Sequence, residues 1–555
     1  MRRAADIFVE TLLKHGVDRV FCVPGESYLS IIDAMYDKPS IDVVTARHEG
    51  GASFMAVADA KITGRPGIVM VSRGPGATNA SIGVHVANQD ATPLILFVGQ
   101  VARKDIGRNA FQEMNYIRAF GDMSKWVVEI TDADKIAENV RRAFTIARSG
   151  TPGPVVVSLP EDVLTDHTKL PALGPTIITQ PKPSVLEISS LCDMLSKAQR
   201  PIIIAGGQID LGQGRGALRL VSELWNVPVV TSWRHQDLFD VEHPNFACHL
   251  AFNMPPVFKD TLNEADLVIA IGTRLGDVVT QGYQIPLAPE PLQKLVHVYN
   301  DAKPIGSIFD TDLSIIADAT ETLEAIAKVS VPKKLNNRDD WIKKVHALGA
   351  DKIVWDLQEA DDGVPFGNVV AHLRDVIDHN AVTTIDAGNF ATFVHRLFTY
   401  KTTHTQLAAV AGAMGMGVPA AIAAALRSPD RQVVCFVGDG GFQMTGNEIS
   451  LAVERQLPIR FIISKNGSLG TIRLYQERTY PDRTLATNMT NPDFTKIAEA
   501  YGLQGFKIEN NNDICIVVKK AFDASGPSLI EVKSSLEYLA AYINISQIRE
   551  AVSEQ

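Results

Sequence analysis

Residues 433–473 constrain the fold of this 555-residue chain more than any other stretch. They open with a short apolar run at 433–437, which predicts a buried strand and ends at the turn Gly438-Asp439-Gly440-Gly441. We expect an amphipathic helix over about 445–454 and a second buried strand at 459–463. Two apolar strands joined by a helix predict a parallel pair, because parallel strands need a crossover connection.

Polar side chains follow both strands, at the edge where parallel strands end. Asp439 follows the first strand, and Asn466 follows the second strand 27 positions later. Bare glycine backbone lets N–H groups approach phosphate oxygens, and the next helix adds its positive N-terminus. Mg²⁺ prefers carboxylate, amide and carbonyl oxygens and takes part of its shell from substrate phosphates. Gly-Asp-Gly alone fits an ordinary strand–turn–helix, but the whole arrangement predicts a phosphate ester held with a hard cation.

Composition bounds the class of protein. A chain of this length predicts three or four domains, and 46% hydrophobic with 21% charged residues is ordinary for a globular protein. The net charge of −10 and the absence of a Lys/Arg stripe argue against a nucleic-acid partner. Without a Cys-x-x-Cys pair, we expect neither a disulfide framework nor a zinc site. The five cysteines are Cys22, Cys192, Cys248, Cys435 and Cys515.

Neither a secretory signal nor a membrane span is predicted. The N-terminus has no continuous apolar region. Residues 407–426 carry no charge over a length sufficient to cross a bilayer, but they are mostly Ala and Gly with Pro419 inside. We therefore expect a buried loop and helix there, and a cytoplasmic protein.

Strands alternate with helices over residues 1 to about 165, which predicts a parallel sheet covered on both faces. Ligands of such sheets bind beyond the carboxyl ends of the strands. Four polar residues lie at such ends, namely Glu26, Glu49, Arg73 and Gln100. A second unit follows a Pro-rich linker at 171–183, and a third follows it. The first and third units share a strand, Gly-rich loop and helix pattern, which predicts two related folds.

Two minor features are interpreted as structural. Glycines at 206, 207, 212 and 214 give a weak nucleotide-loop signal in the second unit, and a structural role for them is favoured. Lys125 and Glu129 flank Trp126, and we interpret both as ordinary surface charges.

The full set of motifs resembles the thiamine-diphosphate-dependent enzymes, and the nearest branch is similar to acetolactate (acetohydroxyacid) synthase. The matching motifs occur in the family's order, as Arg47-His48-Glu49, Gly74-Pro75-Gly76-Ala77-Thr78-Asn79, Ala110-Phe111-Gln112-Glu113, Gly412-Ala413-Met414-Gly415-Met416-Gly417 and the motif of Asp439 and Asn466. The resemblance implies three doubly wound, parallel-sheet α/β domains. These are a pyrimidine-binding domain at 1–170, a middle domain at 186–340 and a diphosphate-binding domain at 362–535, with a C-terminal arm at 536–555. It also implies a homodimer or homotetramer with active sites between subunits.

The resemblance assigns catalytic roles to three residues. Glu49 matches the carboxylate that hydrogen-bonds the cofactor's pyrimidine ring and promotes loss of the C2 proton; a helix N-terminal carboxylate is the alternative. Gln112 matches a residue near the thiazolium ring and the substrate. Glu26 stands where the family has glycine, which puts a carboxyl group on the substrate side. There it would disfavour an anionic donor or act as an acid or base.

Cofactor and metal contacts are implied in the same way. Asp439 and Asn466 match Mg²⁺ ligands with the carbonyl of Ser468 as the third, while Lys465 replaces the first asparagine of the family's closing Asn-Asn pair. The residues expected to contact thiamine diphosphate are Pro24, Asn79, Gly388, Asn389, Phe390, Gly412, Met414, Gly440, Gly441 and Gly470. Met414 matches the residue beneath the bent cofactor, and a plain core methionine is the alternative.

These matches imply a lyase or carboligase acting on a 2-oxo acid or related carbonyl donor through an enamine or acyl-carbanion intermediate. The paired His-His of pyruvate and indolepyruvate decarboxylases is absent around 105–112, which argues against that branch. No flavin-specific residue stands out in the middle domain, so FAD stays open. A flavin-linked oxidase, an acyl-CoA or diketone lyase, and a non-catalytic cofactor-binding homologue remain the alternatives.

Overall fold

Three six-stranded sheets organise the chain, and every strand pairing within them is parallel. The computed structural model describes residues 1–211, 213–252, 254–332 and 337–553, without the side chains of residues 210, 211, 351 and 352. The predicted architecture of three doubly wound parallel sheets is confirmed. Gly212 of the glycine-rich loop lies outside the described residues.

The first sheet is built from short runs rich in Val, Ile and Leu. The strands of this part of the chain are β1 (Arg2–Arg3), β2 (Arg19–Cys22), β3 (Asp42–Thr45), β4 (Gly67–Val71), β5 (Leu94–Gln100), β6 (Trp126–Glu129), β7 (Pro154–Pro160) and β8 (His167–Thr168). The helices are α1 (Ala4–Lys14), α2 (Leu29–Tyr36), α3 (Glu49–Thr63), α4 (Pro75–Gln89), α5 (Tyr116–Phe120), α6 (Ile136–Arg148) and α7 (Glu161–Thr165). The sheet order is β3-β2-β4-β5-β7-β6, and β1 pairs antiparallel with β8.

The second sheet has a different order. Its strands are β9 (Pro201–Ala205), β10 (Val229–Thr231), β11 (Phe246–His249), β12 (Leu267–Ile271), β13 (Lys294–Tyr299) and β14 (Leu313–Ile316). Its helices are α8 (Val185–Lys197), α9 (Gln208–Leu211), α10 (Arg215–Trp225), α11 (Pro256–Leu262), α12 (Ala319–Ala327) and α13 (Asp339–Ile353). The order β11-β10-β9-β12-β13-β14 reads 3-2-1-4-5-6 along the chain, which is the order of dinucleotide-binding sheets.

The third sheet repeats the topology of the first. Its strands are β15 (Val382–Ile385), β16 (Gln406–Leu407), β17 (Val433–Gly438), β18 (Ile459–Lys465), β19 (Gln504–Ile508) and β20 (Ser528–Lys533). The helices are α14 (Phe366–Val376), α15 (Ala391–Leu397), α16 (Gly417–Arg427), α17 (Asp439–Thr445), α18 (Ile449–Glu454), α19 (Gly470–Thr479), α20 (Phe494–Tyr501), α21 (Asp513–Phe522) and α22 (Ile545–Ser553). Its order, β16-β15-β17-β18-β20-β19, matches that of the first sheet strand for strand. The predicted relation between the first and third units is therefore present in the topology.

The segment at 407–426 is largely buried, as expected, and it contains α16. Residues 408–429 and 441–457 belong to the same compact unit as residues 1–178, where α16 packs against α3. Among the helices that the structure describes, none combines the length and apolar character needed to cross a bilayer.

Two local predictions are wrong. The helix after β17 begins at Asp439 rather than near Thr445, and a 3₁₀ turn at Gly446–Glu448 separates it from α18. The second wrong prediction concerns Glu129, which is half-buried and hydrogen-bonded rather than a surface charge, whereas Lys125 is exposed as predicted. The Lys125 ammonium donates to the carbonyls of Ile146 and Ser149 at the end of α6, where a cation is favourable. Glu129 ends β6 and accepts hydrogen bonds at the edge of the candidate site described below.

Candidate active site

Asp439 carries a buried carboxylate directly after β17, and only 3% of the residue is exposed. Its Oδ1 accepts from the Gly440 N–H at 2.9 Å, and its Oδ2 accepts from the N–H groups of Asn466 at 3.1 Å and Gly467 at 2.8 Å. The side-chain amide of Asn491 donates to the same Oδ2 at 2.7 Å. Burial raises the pKa of Asp439 against the opposing effect of these donors. The carboxylate is therefore fixed in a position where a cation would stabilise its charge.

Asn466 and Ser468 supply further oxygen atoms after β18. The Ser468 N–H donates to Asn466 Oδ1 at 2.9 Å, which leaves that amide oxygen a second lone pair. Ser468 is 4% exposed, and its buried Oγ has no hydrogen-bond partner in the described part of the chain. Across all residues that the structure describes, no group of three or more His, Cys, Asp or Glu side chains could hold a metal ion. One carboxylate with neutral oxygens suits a hard cation that draws its remaining ligands from a bound phosphate.

Small residues shape the loops on either side of Asp439. Gly388 has φ +153°, and the Phe390 ring lies so close to Gly388 and Gly438 that a Cβ on either would approach it within about 3 Å. Asn389 bonds the first turn of α19, because its amide nitrogen meets the Gly470 carbonyl at 3.5 Å. Gly440 and Gly441 lie in the first turn of α17, where N–H groups lack intrahelical acceptors. Two helix N-termini in this part of the chain thus offer donors to an anion.

Glu49 is the first residue of α3, and its side chain is half-buried. The Asn79 side-chain amide, on α4, donates to Glu49 Oε2 at 2.9 Å. A Cβ at Gly76 would lie 3.3 Å from the other carboxylate oxygen, so glycine leaves room for the carboxylate. His48 caps the helix by accepting from the Gly50 N–H at 2.9 Å. The structure thus brings together Glu49 and Asn79, which the sequence analysis named separately. Nothing in their spacing along the chain required the contact.

Gln112 lies in a constrained loop with φ +63°. Its backbone is pressed against Gly74, where a Cβ would come within 2.7 Å of the Gln112 carbonyl. Glu113 closes the loop by accepting from the N–H groups of Gly107 and Ala110, and these hydrogen bonds lower the pKa of Glu113. The loop therefore holds Gln112 in one backbone conformation.

The strand that precedes this loop anchors it as well. Gln100 donates through its amide to the Met114 carbonyl at 2.9 Å and to Glu129 Oε2 at 3.1 Å. The Ser158 hydroxyl donates to the same carboxylate oxygen at 3.1 Å. Glu129, which we interpreted from the sequence as a surface charge, therefore supports the Gln112 loop.

Glu26 is paired rather than free. Its Oε1 lies 3.0 Å from Arg73 Nη2, and the Arg73 side chain is 11% exposed. Arg73 also contacts Glu161 at 3.3 Å and donates to the Phe111 carbonyl at 3.3 Å. The carboxylate that replaces the family's glycine is thus paired with a guanidinium that it shares with Glu161. Pro24, at the end of β2, is exposed.

The loop that carries Gly412 and Met414 is tied to the first sheet's helices. Gly412 has φ +70° with open space around it, so it is the backbone conformation that requires glycine. Asp90 accepts from the N–H groups of Val410 at 3.0 Å and Ala411 at 2.8 Å, and its carboxylate is fully buried. Lys61 pairs with Asp90 at 2.6 Å. Met414 is half-buried and lies just after this anchor.

Comparison with known proteins identifies the family. Three models of thiamine pyrophosphate enzymes match, the N-terminal TPP-binding domain at residues 2–119, the central domain at 188–326 and the C-terminal TPP-binding domain at 386–532. The chain belongs to the thiamine pyrophosphate enzymes. Its cofactor is therefore thiamine diphosphate, as predicted.

Relatives along the whole length narrow the branch of the thiamine pyrophosphate enzymes. The chain is 31% identical to the acetolactate synthase large subunit of Lactococcus lactis over 95% of this chain and 92% of the relative. It is 30% identical to the mitochondrial acetolactate synthase catalytic subunit of Saccharomyces cerevisiae, over 95% of this chain and 80% of the relative. It is also 30% identical to the acetolactate synthase isozyme 3 large subunit of Escherichia coli, over 93% of this chain and 91% of the relative. The prediction of an acetolactate-synthase-like enzyme is confirmed.

Two residues of this thiamine pyrophosphate enzyme that were not predicted from the sequence make hydrogen bonds that position the predicted residues Asp439 and Glu49. Asn491 donates to Asp439, and its only local signal is the following proline of a turn. Glu448 accepts from the backbone ahead of Glu49, nine residues after Asp439 in the same motif. Lys465, the departure from the family pattern, pairs with Glu531 at 2.9 Å.

Proposed function

We propose that this thiamine pyrophosphate enzyme is an Mg²⁺-dependent carboligase that decarboxylates a 2-oxo acid and joins the remaining acyl group to an acceptor carbonyl compound. The observation that carries the proposal is the pairing of Glu49 with Asn79 at the start of α3, in a chain that also holds Asp439 in a cage of donors. The retained Glu49 favours this proposal over a non-catalytic homologue, in which the carboxylate would serve only the helix N-terminus.

Mg²⁺ fits the oxygen atoms after β17 and β18. Asp439, Asn466 and the Ser468 carbonyl would hold the ion. The Ser468 hydroxyl is buried and has no hydrogen-bond partner among the described residues. The diphosphate would meet the loop at Gly388, Asn389 and Phe390 and the helix N-termini at Gly440, Gly441 and Gly470. Thiamine diphosphate, when bound, supplies the carbon nucleophile and electron sink. Together these residues orient the cofactor and balance its charge.

Glu49 would hold a proton at the pyrimidine ring nitrogen. The Asn79 side-chain amide holds the carboxylate through a hydrogen bond of 2.9 Å. A positioned acid or base of this kind contributes about 10²–10⁴-fold to the rate. The Gly412 backbone and the Met414 side chain would orient the ring, because their loop is held by Asp90.

Gln112 and Glu26 would face the substrate. The Glu26–Arg73 pair presents both a carboxylate and a guanidinium, so it is compatible with an anionic 2-oxo acid in a way that an unpaired carboxylate would not be. We expect Arg73 to moderate the selectivity that Glu26 alone would impose.

A nucleotide-bearing ligand in the middle domain is the second candidate. It is supported by the 3-2-1-4-5-6 order of the second sheet, with Gly206 and Gly207 following β9 at the switch point. FAD or an acyl-CoA would fit this topology, although the His235 ring already approaches Gly207, where a Cβ would lie 2.4 Å away. The visible spectrum of the purified protein separates a flavin-containing enzyme from a colourless one.

Subunit assembly is also part of the proposal. A homodimer or homotetramer is supported by large apolar side chains near the Gln112 loop, since Phe111 is 76% exposed and Ile117 is 58% exposed in the single chain. Active sites would then lie between subunits.

Product analysis tests the function. The protein is incubated with a panel of 2-oxo acids and aldehydes, with and without thiamine diphosphate, Mg²⁺ and flavin. We expect CO₂ release and a hydroxyketone product that require thiamine diphosphate and Mg²⁺ and fall by about 10²-fold or more in Glu49→Gln. Full turnover by Glu49→Gln, or no product from any pair of substrates, would overturn the proposal.

A further inference from the structure

Glu448 has no exposed surface, although it lies in a short 3₁₀ turn rather than in the sheet core. Its Oε1 accepts from the backbone N–H groups of Arg47 and His48, each at 3.0 Å, and its Oε2 lies 3.1 Å from the Arg47 nitrogen. Glu49 is the next residue along the chain. A Cβ at Gly51 would lie 2.3 Å from Oε1, so glycine at that position makes room for the carboxylate.

The contact fixes the peptide that precedes the candidate catalytic carboxylate. Two consecutive N–H groups that bind one carboxylate are restrained in direction, and charge-assisted hydrogen bonds of this kind are short and strong. The start of α3 is then restrained at three positions, 47, 48 and 50, because the His48 side chain also binds the Gly50 N–H. From this fixed start the Glu49 side chain reaches Asn79.

The charge of Glu448 is met by backbone rather than by a cationic side chain. The Arg47 guanidinium instead pairs with Glu454 at 2.5 Å, on the exposed end of α18. An apolar side chain at this position would leave the N–H groups of Arg47 and His48 without these acceptors. Both carboxylate oxygens of Glu448 contact backbone nitrogens of Arg47 and His48, the two residues that precede Glu49.

We infer that Glu448 is a positioning residue that sets the direction of Glu49 by binding the N–H groups of Arg47 and His48. The inference rests on the proposed function of Glu49. Its effect reaches the reaction only through the backbone, so loss of Glu448 should misplace Glu49 while the residues around Asp439 keep their arrangement.

The test uses the full-length protein with Glu448→Gln and Glu448→Asp, and Glu454→Gln as the matched control. Amide hydrogen exchange is measured without cofactor over residues 45–52. We expect faster exchange there in both Glu448 variants, with protection elsewhere and in the control unchanged. In the holoenzyme we expect kcat to fall by up to about 10²-fold, as for a misplaced catalytic group. The KM for the 2-oxo acid and the affinity for thiamine diphosphate should change much less.

Other outcomes overturn the inference. Unchanged exchange over residues 45–52, or a loss of kcat matched by weaker cofactor binding, would contradict it. If Glu448→Gln does not fold, the same criteria apply to Glu448→Asp, which keeps the charge but shortens the side chain; failure of both to fold would make Glu448 structural and overturn the inference. Glu49→Gln, measured in parallel, separates the two proposals. Full turnover by that variant would contradict the proposed function. The amide exchange over residues 45–52 tests only whether Glu448 restrains the backbone before Glu49.

Discussion

At the scale of single residues, Asp439 and Glu448 both carry a carboxyl group that is buried away from water. Each is a buried carboxylate, and burial raises the pKa of both, in the case of Glu448 to about 7. Each is held mainly by backbone N–H groups. Asp439 lies beside the oxygens proposed to bind Mg²⁺, so a cation is expected to stabilise its ionised form. Glu448 has only its hydrogen bonds and the nearby Arg47 charge to oppose burial.

Glu448 should therefore make stability depend on pH. Between its ordinary pKa of 4.5 and about 7, the folded protein binds a proton that the unfolded chain has lost. Its contribution is present below pH 4.5 and is lost as pH rises through 7. Relative to Glu448→Gln, the wild type should lose on the order of 3 kcal/mol between pH 4.5 and 8. Urea unfolding midpoints at several pH values measure the difference, and parallel curves for the two proteins would contradict it.

Residues in a fixed motif could be predicted from the sequence, and residues defined by distant contacts could not. Asp439 and Asn466 follow two apolar strands, so the pattern of hydrophobic runs predicts where their side chains emerge. Asn491 reaches Asp439 from a loop, and Glu448 reaches Arg47 across 401 positions of the chain. No local pattern encodes such contacts, because they depend on how whole elements pack.

At the scale of elements, a buried ion pair ties a functional loop to two helices. Asp90, just after α4, binds the N–H groups of Val410 and Ala411, while Lys61 in α3 pairs with it and donates to the Ala408 carbonyl at 2.8 Å. The loop that carries Gly412 and Met414 follows directly. We therefore expect the conformation of this loop to depend on the Asp90–Lys61 pair.

Removal of Asp90 should loosen that loop. Asp90→Ala leaves the Lys61 charge uncompensated and two backbone N–H groups without acceptors, so we expect a loss of about 3–5 kcal/mol of stability. Amide exchange over 408–414 should rise as well. Asp37→Ala, at an exposed position directly after α2, should change stability by less than about 0.5 kcal/mol. Equal behaviour of the two variants would show that Asp90 does not anchor the loop.

Element types were easier to predict than their ends. The continuous apolar run at 459–463 predicts a strand, and β18 (Ile459–Lys465) confirms it but ends two residues later. The start of α17 was placed too late, since glycines disfavour helix interiors, yet here Gly440 and Gly441 occupy the first turn. The close approach of loops around Asp439 outweighs that local preference.

At the scale of the whole molecule, the first and third sheets share one strand order while the middle sheet has another. Glu49 follows the first sheet's β3, and Asp439 follows the third sheet's β17, so each of these two sheets places a carboxylate after a strand end.

Activity should depend on association if active sites lie between subunits. Sedimentation at falling protein concentration is compared with specific activity at the same concentrations. We expect activity to be lost where the particle mass falls to that of the 60.3 kDa chain. A fully active monomer would contradict the proposed assembly.

The most direct measurement is the exchange rate of the C2 proton of bound thiamine diphosphate with deuterium, compared among the wild type, Glu49→Gln and Glu454→Gln. We expect the wild type and the Glu454 control to exchange faster than Glu49→Gln by about 10²–10⁴-fold, with thiamine diphosphate bound by all three. Exchange in Glu49→Gln as fast as in the wild type would contradict the account.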